Sequence, residues 1–481
     1  MARFTLKEIV EATGGRLIRL PKGVDAETIA ISDVSTDTRT IKEGSLFLAL
    51  IGERFDGHDY AEEARKSGCA ALVLQKEECA PEGVPAVLVE DTKTALEKIA
   101  AYYRMRQNFL VVAVTGSVGK TSTRQMIASA LSSCRKVYAT KNNNNNEIGL
   151  SQTILAASED TEILVLEMGM RLRGEISELT HIAHPDIAVI TNIGVAHIER
   201  LGSREEILNA KLEILEGLKD EGLLIIPAAD EMLAKAGKEG KIRKDVKIAY
   251  TAIESSAFPE NASGTAAAEN IAFENGKICF LAKAGFGEIE EIPLSLSVIG
   301  KHHVGNALAG LLCGLYLKLP AEKLAEGICS FAQIGHRERL VEEHGVFFMD
   351  DSYNAGPESM MSAMSSIRRL AETGKAWACV GDMLELGDVS SEKHFEIGAH
   401  AAREHLNGLF VIGDYKEDVR KGVESIDRDL PVVLCRDKKE IVEKMRNTVQ
   451  PGDFVLLKAS HSFEMYTILE EYASIFKEEE C

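Results

Sequence analysis

The apolar positions of this chain fall into short runs separated by stretches of helical period, and their spacing divides the sequence into three parts. In the first hundred residues "SLFLALIGE" and "AALVLQ" read as strands, with "DYAEEARKSG" as the helix between them. A helix over "TKTALEKIAAYYRMRQ" leads to the apolar run at 109–114. From there to about 330, strands and helices alternate: "LVVAV", 120–133, "EILVLEM", "EISELTHIA", "DIAVITNI", 204–219 and "GLLIIPA". That order predicts βαβ units and a mostly parallel sheet. The stretch 251–300 differs, with Gly and Asn turns between short runs, and predicts antiparallel strands on the sheet's edge. Beyond 336, "VFFMDDS", "AWACVGDM", "GLFVIGD", "PVVLCRD" and "DFVLLKAS" predict a second doubly wound sheet without the G-x-G-x-x-G fingerprint. The expectation is three α/β domains: a small mixed domain at 1–107, a central, mostly parallel sheet at 108–335, and a Rossmann-like sheet at 336–481.

Composition narrows the function without naming it. A chain of 481 residues exceeds one core, which fits this division. Its formal net charge of −20 argues against a general nucleic-acid binder or a protein of anionic membranes. Anionic ligands would have to be met locally, by a few cations, helix N-termini or metal ions. The nine cysteines are dispersed with no C-x-x-C pair, as expected of reduced thiols in a cytoplasmic protein. The first residues hold no apolar leader run; Thr5-x-x-Glu8 reads instead as a capping box. No apolar run approaches the roughly 18 residues needed to span a bilayer.

Candidate chemistry begins at "VVAVTGSVGKTSTRQMIASAL", residues 111–131. The usual phosphate loop, G-x-x-x-x-G-K-[ST], would need glycine where this chain has Val114. What remains still suits a phosphate. Gly116 and Gly119 permit the turn, the following helix supplies free amides and its dipole, Lys120 supplies charge, and Thr121 a hydroxyl for Mg²⁺. The same residues also make an ordinary strand–turn–helix junction with an exposed lysine.

Further along, each candidate has a plain reading beside the chemical one. Glu167 ends "EILVLE" at the carboxyl edge of the predicted sheet, where it either holds Mg²⁺ or caps the strand. His197 follows the next strand at the same edge, as a ligand or a structural histidine. Ser203-x-x-Glu206 reads as a capping box for a helix of about four turns. Ile207, Leu208, Leu212, Ile214, Leu215 and Leu218 fill one arc of it, and Lys211 falls inside that arc. A lysine so placed either snorkels to water or is functional. The asparagines at 142–146 form a solvated loop or a polar binding surface.

The loop form T-G-S-V-G-K-T-S-T resembles that of the Mur ligase superfamily, ATP-dependent amide-forming enzymes whose phosphate loop itself lacks the first Walker glycine. "TKNNNNNEIGLSQTIL", "EMGMRLRGEISEL", "TNIGVAHIERLGSREEILNAKLEIL", "DDSYNAGPESM" and "GDMLELG" resemble further signatures of the family. "STDTRTIKEGSLFLALIGERFDGHDYAEEA" resembles its N-terminal substrate domain, and the likeness runs in order along nearly the whole chain. The resemblance implies ATP contacts from Thr115, Gly116, Ser117, Val118, Gly119, Lys120, Thr121 and Ser122, from Asn306 near the adenine, from Arg337 at the phosphates and from Asp351 at the ribose. It implies two Mg²⁺ ions held by Thr121, Glu167, His197 and Lys211, the last a lysine of the kind that can be carbamylated, with Lys120, His197 and Lys211 as the catalytic set. Ser35, Asp37, Arg39, Asn143, Asn145 and Asn146 fall to the substrate side, whereas Glu147 departs from a histidine common in relatives. Within the family the blocks point to the step that joins D-Ala-D-Ala to UDP-MurNAc-tripeptide through an acyl phosphate, for peptidoglycan synthesis. A cytoplasmic monomer is expected, with no nucleic-acid partner and no membrane insertion. Two alternatives stay open: another ligase of the superfamily, such as folylpolyglutamate synthase or a different Mur step, and a nucleotide-dependent switch without ligase turnover.

Overall fold

The computed structural model describes residues 3–254, 258–274, 276–333 and 335–479. Three sheets of α/β character organise it, beside a two-stranded pairing of Phe4–Thr5 with Ala30–Ile31. The N-terminal sheet has five strands, ordered Arg16–Ile18, Ala86–Leu88, Ala71–Leu74, Leu46–Leu48 and Val34–Ser35. Thr5 and Glu8 do form a capping box, at the start of the helix Leu6–Thr13.

The central sheet has nine strands. Val137–Ala139, Ile163–Glu167, Leu110–Thr115, Ile187–Ile190, Leu223–Pro227, Lys247–Ile253 and Gly264–Glu274 lie parallel in that order. Lys277–Phe286 and Glu288–Leu296 then extend the edge as an antiparallel meander, which matches the change of pattern at 251–300. Val111 to Val114 are fully buried, as the middle of a parallel sheet covered on both faces requires. The third sheet has six strands, five of them parallel and all anticipated. The sixth, Arg339–Glu343, pairs antiparallel with Val346–Asp350 and was not anticipated, because its polar residues disguise the strand.

One core runs without a break from the N-terminal sheet to one face of the central sheet. The helix Thr92–Arg106 joins them: Tyr103 donates its hydroxyl to the Ala157 carbonyl at 2.9 Å, and Arg104 donates to the carbonyls of Ala183 and His184. The third sheet keeps its own cores on its two faces. One of them encloses Trp377, whose indole N–H donates to Asp453 at 3.0 Å. Unlike the first two domains, the third therefore meets its neighbour without merging cores, an arrangement that leaves relative movement open to it.

One helix is shorter than its pattern predicts. The apolar arc at 204–219 is helical only over Arg204–Leu212, then tightens into a 3₁₀ turn at Glu213–Leu215. Ser203 caps it by accepting from the Glu206 amide at 3.2 Å. The Glu206 side chain, however, turns to Arg173 and Asn209.

Candidate active site

A cleft of about 1040 Å³ opens at the carboxyl edge of the central sheet, walled on its far side by the third domain. Ser117–Thr123, the asparagine segment 143–146, Glu167, His197, Asn306, Arg337 and Asp351 all line it. The strand order explains why. Leu110–Thr115 is flanked by Ile163–Glu167 and Ile187–Ile190, so the loops leaving all three strands emerge side by side.

The loop after Leu110–Thr115 is tightly built. Gly116 has φ 144° and Gly119 φ 83°, and a Cβ on Gly116 would come within 1.9 Å of the Thr191 hydroxyl. Thr115 faces away from the cleft and donates its hydroxyl to the Met168 carbonyl at 2.9 Å. The amides of Ser117 and Val118 donate to Asn192, at its carbonyl oxygen and at Oδ1 respectively. The Ser117 hydroxyl accepts from the Gly194 amide at 3.0 Å. The helix Lys120–Ser132 starts directly beneath, without a side-chain cap, so its first amides face the cleft. Lys120 curls back so that Nζ donates to the carbonyls of Gly116 at 2.8 Å and Ser117 at 3.3 Å. Burial holds its pKa below the ordinary lysine value; nearby Glu167 opposes the shift and Arg337 adds to it.

Glu167 is buried, accepts at Oε1 from Asn145 at 2.8 Å, and leaves Oε2 without a hydrogen-bond partner. The Arg124 guanidinium stands 3.4 Å from that oxygen. The asparagines divide their work. Asn146 caps the helix Glu147–Ala156, accepting from Gly149 at 2.9 Å, whereas Asn143 and Asn145 are not caps and line the cleft. Glu147, the first residue of that helix, also lines the cleft and lies 3.6 Å from Lys93.

His197 sits at the start of the short helix Ile198–Leu201 with φ 65°, and its Nδ1 is 2.6 Å from Glu385 of the third domain. Glu385 is itself at φ 62°. Burial lowers the His197 pKa; Glu385 opposes that, and Lys120 and Lys211 reinforce it. Lys211 is 1% exposed and its Nζ has no hydrogen-bond partner. Burial, then the charge of Lys120, push its pKa well below the ordinary value, while Glu213 and Glu175 pull weakly the other way.

On the nucleotide side, Asn306 lies inside the helix His302–Tyr316, not at its cap, and accepts from the Thr123 hydroxyl at 2.8 Å. Arg337 donates to the Thr121 hydroxyl at 3.2 Å and stacks 3.9 Å over the Tyr353 ring. Asp351 pairs with the buried Lys458 at 2.5 Å. Its neighbour Asp350 turns inward, where it accepts from His336 and from the Ser352 hydroxyl. Ser35, Asp37 and Arg39 are not brought to this cleft. They form a cluster of their own on the N-terminal domain, in which the Arg39 guanidinium holds the Asp37 carboxyl down at about 2.

Several residues at this site carried no expectation. Lys458 gave a signal, as the one charge in the strand Phe454–Lys458; Arg124, in a polar first half of its helix, gave none. Asn192, Tyr353 and Glu385 gave none beyond their place in the quoted blocks, since their partners lie far away in sequence.

Known proteins share this architecture. Residues 114–314 match the Mur ligase middle domain, 336–461 the "Mur ligase, glutamate ligase domain", and 30–104 the "Mur ligase family, catalytic domain". The UDP-N-acetylmuramoyl-tripeptide–D-alanyl-D-alanine ligase of Bacillus subtilis is 35% identical over 474 residues, 98% of each chain. The chain belongs to the Mur ligase family. As a Mur ligase it is an ATP-dependent, ADP-forming ligase. The Synechocystis ligase of the same name is 34% identical over 93% of each chain. A crystal structure of MurF from Acinetobacter baumannii superposes with a TM-score of 0.85 at 26% identity, covering 98% of this chain and 99% of that one. MurF from Thermotoga maritima, solved in complex with ADP, gives 0.78 at 29% identity over 93% and 98%. Folylpolyglutamate synthase from Mycobacterium tuberculosis shares the fold alone, at 13% identity and 0.60. Among the described residues no helix is long and apolar enough to cross a membrane.

Proposed function

We propose that this Mur ligase joins D-Ala-D-Ala to UDP-MurNAc-tripeptide, with its domains running 1–107 for the UDP substrate, 108–335 for ATP and the metals, and 336–481 for the dipeptide, and that it acts as a cytoplasmic monomer. The observation that carries the reading is the meeting of Arg337, at the entry to the third domain, with Thr121 of the phosphate loop. Both line the cleft that Asn145 and Glu167 also line.

The γ-phosphoryl of ATP passes to the terminal carboxylate of the tripeptide, and ADP leaves. The amine of D-Ala-D-Ala attacks the acyl carbonyl, the new C–N bond forms, and phosphate departs with the C–O electron pair and takes up the proton that the amine nitrogen loses. The first step brings two anions together, so cations must meet the charge as it moves. Lys120 is already poised over the loop and exchanges its two carbonyls for phosphate oxygens. Arg337 supplies a second positive charge, its guanidinium stacked on Tyr353. Asp351 takes the ribose and Asn306 the adenine. Asn143 and Asn145 present amides to the substrate side, while Asn146 keeps the loop in register as a cap.

The donor set fits Mg²⁺. Glu167 offers a buried carboxylate oxygen with no hydrogen-bond partner, and Thr121 a hydroxyl, both hard ligands. A second ion fits His197 together with Lys211 once that amine carries CO₂. A buried amine with no partner and a lowered pKa is neutral enough to react, and the resulting carbamate is an oxygen ligand. The Glu385 carboxylate at Nδ1 fixes the His197 ring with its lone pair on Nε2. Bound Mg²⁺ supplies charge neutralisation at the phosphates.

Phosphate release measured with each substrate omitted in turn, and the mass of the product, test the reading. Release that needs ATP, the UDP-tripeptide and D-Ala-D-Ala together, with a UDP-pentapeptide formed, supports it. Release that ignores the peptides points to a nucleotide switch, and a product with another amino donor points to another ligase.

A further inference from the structure

We propose that His303 and Glu338 are positioning residues that set Arg337 against the phosphate loop, through a hydrogen-bonded chain running from the loop's helix across to the third domain. This rests on the reading of Arg337 as a phosphate-binding group.

The chain begins at Thr123, two residues beyond Thr121, whose hydroxyl donates to Asn306 Oδ1 at 2.8 Å. That leaves the Asn306 amide nitrogen facing His303 Nδ1 at 3.4 Å, so Nδ1 accepts. The ring proton is then on Nε2, which donates to Glu338 Oε2 at 3.1 Å. The Glu338 backbone N–H donates in turn to Asp351 Oδ1 at 3.3 Å, and the other Asp351 oxygen is held by Lys458. His303 is fully buried and Glu338 is 7% exposed, so water competes little for either bond.

Two further features fit a built arrangement. Glu338 has φ 48°, in the left-handed region that non-glycine residues seldom adopt. Gly300 makes room for its carboxylate, since a Cβ there would stand 2.6 Å from Oε1.

Arg337 is thus fixed on both sides. His336 is tied to the third domain, through its ring to Asp350 and through its carbonyl to the Tyr353 amide. Glu338 carries the bond that crosses to the central helix. Without that bond, the third domain's entry loses its register on the helix that holds Asn306, and the guanidinium loses its aim at Thr121. His302, His303 and Glu338 also bring potential metal-ligating atoms within 4.8 Å of one another. The proton on His303 Nε2 occupies the atom an ion would need, so the cluster is organised as a hydrogen-bonded link.

The test is a double-mutant cycle on the full chain between His303→Leu and Arg337→Ala, read by calorimetric affinity for a non-hydrolysable ATP analogue and, separately, by kcat. The expected result is that His303→Leu weakens analogue binding about tenfold and lowers kcat by about a hundredfold, because a small misplacement of a charged clamp is enough. In the Arg337→Ala background the same change adds less than about twofold to either loss. His303→Gln, which keeps an N–H donor at similar reach, restores most of the binding. Additive losses in the binding cycle, or a Leu variant that binds and turns over normally, overturn the relay. An Arg337→Ala enzyme with unchanged binding and kcat overturns the phosphate role of Arg337, and the relay with it. Loss of the dipeptide reading alone is recognised by a wild type that shows the binding cycle but forms no pentapeptide.

Discussion

Two lysines of this central domain have lowered pKa values, and they differ in what surrounds them: Lys120 lines the cleft, whereas Lys211 is buried. Lys120, in the phosphate loop, gives its ammonium to the carbonyls of Gly116 and Ser117. Lys211, in the helix Arg204–Leu212, gives its ammonium to nothing. Both have lowered pKa values with burial as the leading cause, and the charge of Lys120 adds to the shift at Lys211. A lysine with carbonyl partners is a cation kept ready for an anion. One without partners is stable only as a neutral amine, or as something the amine becomes by reaction. The two sites show how one residue type serves as a charge in one place and as a nucleophile in another.

The largest break in this comparison is Lys120→Ala. It should lower kcat by at least about a thousandfold, since a phosphoryl-stabilising cation is worth several kcal/mol of barrier. The melting temperature should hardly move, because no core contact is lost. Near-normal turnover in a steady-state assay would remove Lys120 from the phosphate site.

Next comes Lys211→Ala, expected to lose most activity, with partial recovery on adding a short free carboxylate such as acetate. Lys211→Arg should stay inactive, because a guanidinium keeps the charge and forms no carbamate. Carbon-13 NMR of active enzyme in labelled bicarbonate reads the modification directly. No carbamate signal, together with an active Arg variant, would refute it.

A smaller effect sharpens the contrast from the side of stability. In CO₂-free, Mg²⁺-free buffer, Lys211→Met should stabilise the fold by about 2 kcal/mol at neutral pH, as apolar replacement of a buried ionisable group often does. The sign with pH follows from the lowered folded pKa. Below the ordinary lysine value the unfolded chain binds a proton that the folded chain refuses, so wild-type stability falls as pH falls through that window. The gain of the Met variant should therefore grow from pH 10 towards pH 7 in calorimetric scans. A gain that is absent, or that shrinks over this range, would mean Lys211 is charged and paired in solution.

The smallest expected change is at a cation with a partner and full exposure. Arg39→Ala should raise KM for the UDP-peptide by up to about tenfold and leave kcat alone, as loss of uniform binding does. A fall in kcat instead would place the N-terminal cluster nearer the chemistry than the structure does.

Much of this was legible in the sequence, and the limits have a physical cause. The parallel central sheet follows from apolar runs with turn residues at their ends, and the carboxyl-edge placement of Glu167 follows from strand order. The polar "KHH" hides the start of the helix that carries Asn306: its two histidines open that helix, one of them buried against Glu338. The strand Arg339–Glu343 was missed because an edge strand need not be apolar. Lys211 stood out because a helical period makes a charge inside an apolar arc conspicuous. Its lack of any partner, and the pairing of His197 with Glu385 188 residues away, exist only once the chain is folded.

Trp377, the chain's single tryptophan, is buried in the third domain beside Phe410 with its N–H on Asp453. Its emission is therefore a built-in reporter of one domain out of three. During denaturation it signals when the third sheet opens and is silent about the other two, whose shared core carries no indole. Intrinsic fluorescence and calorimetry on the same sample need not agree. The gap between their midpoints measures how independently the third domain holds itself together.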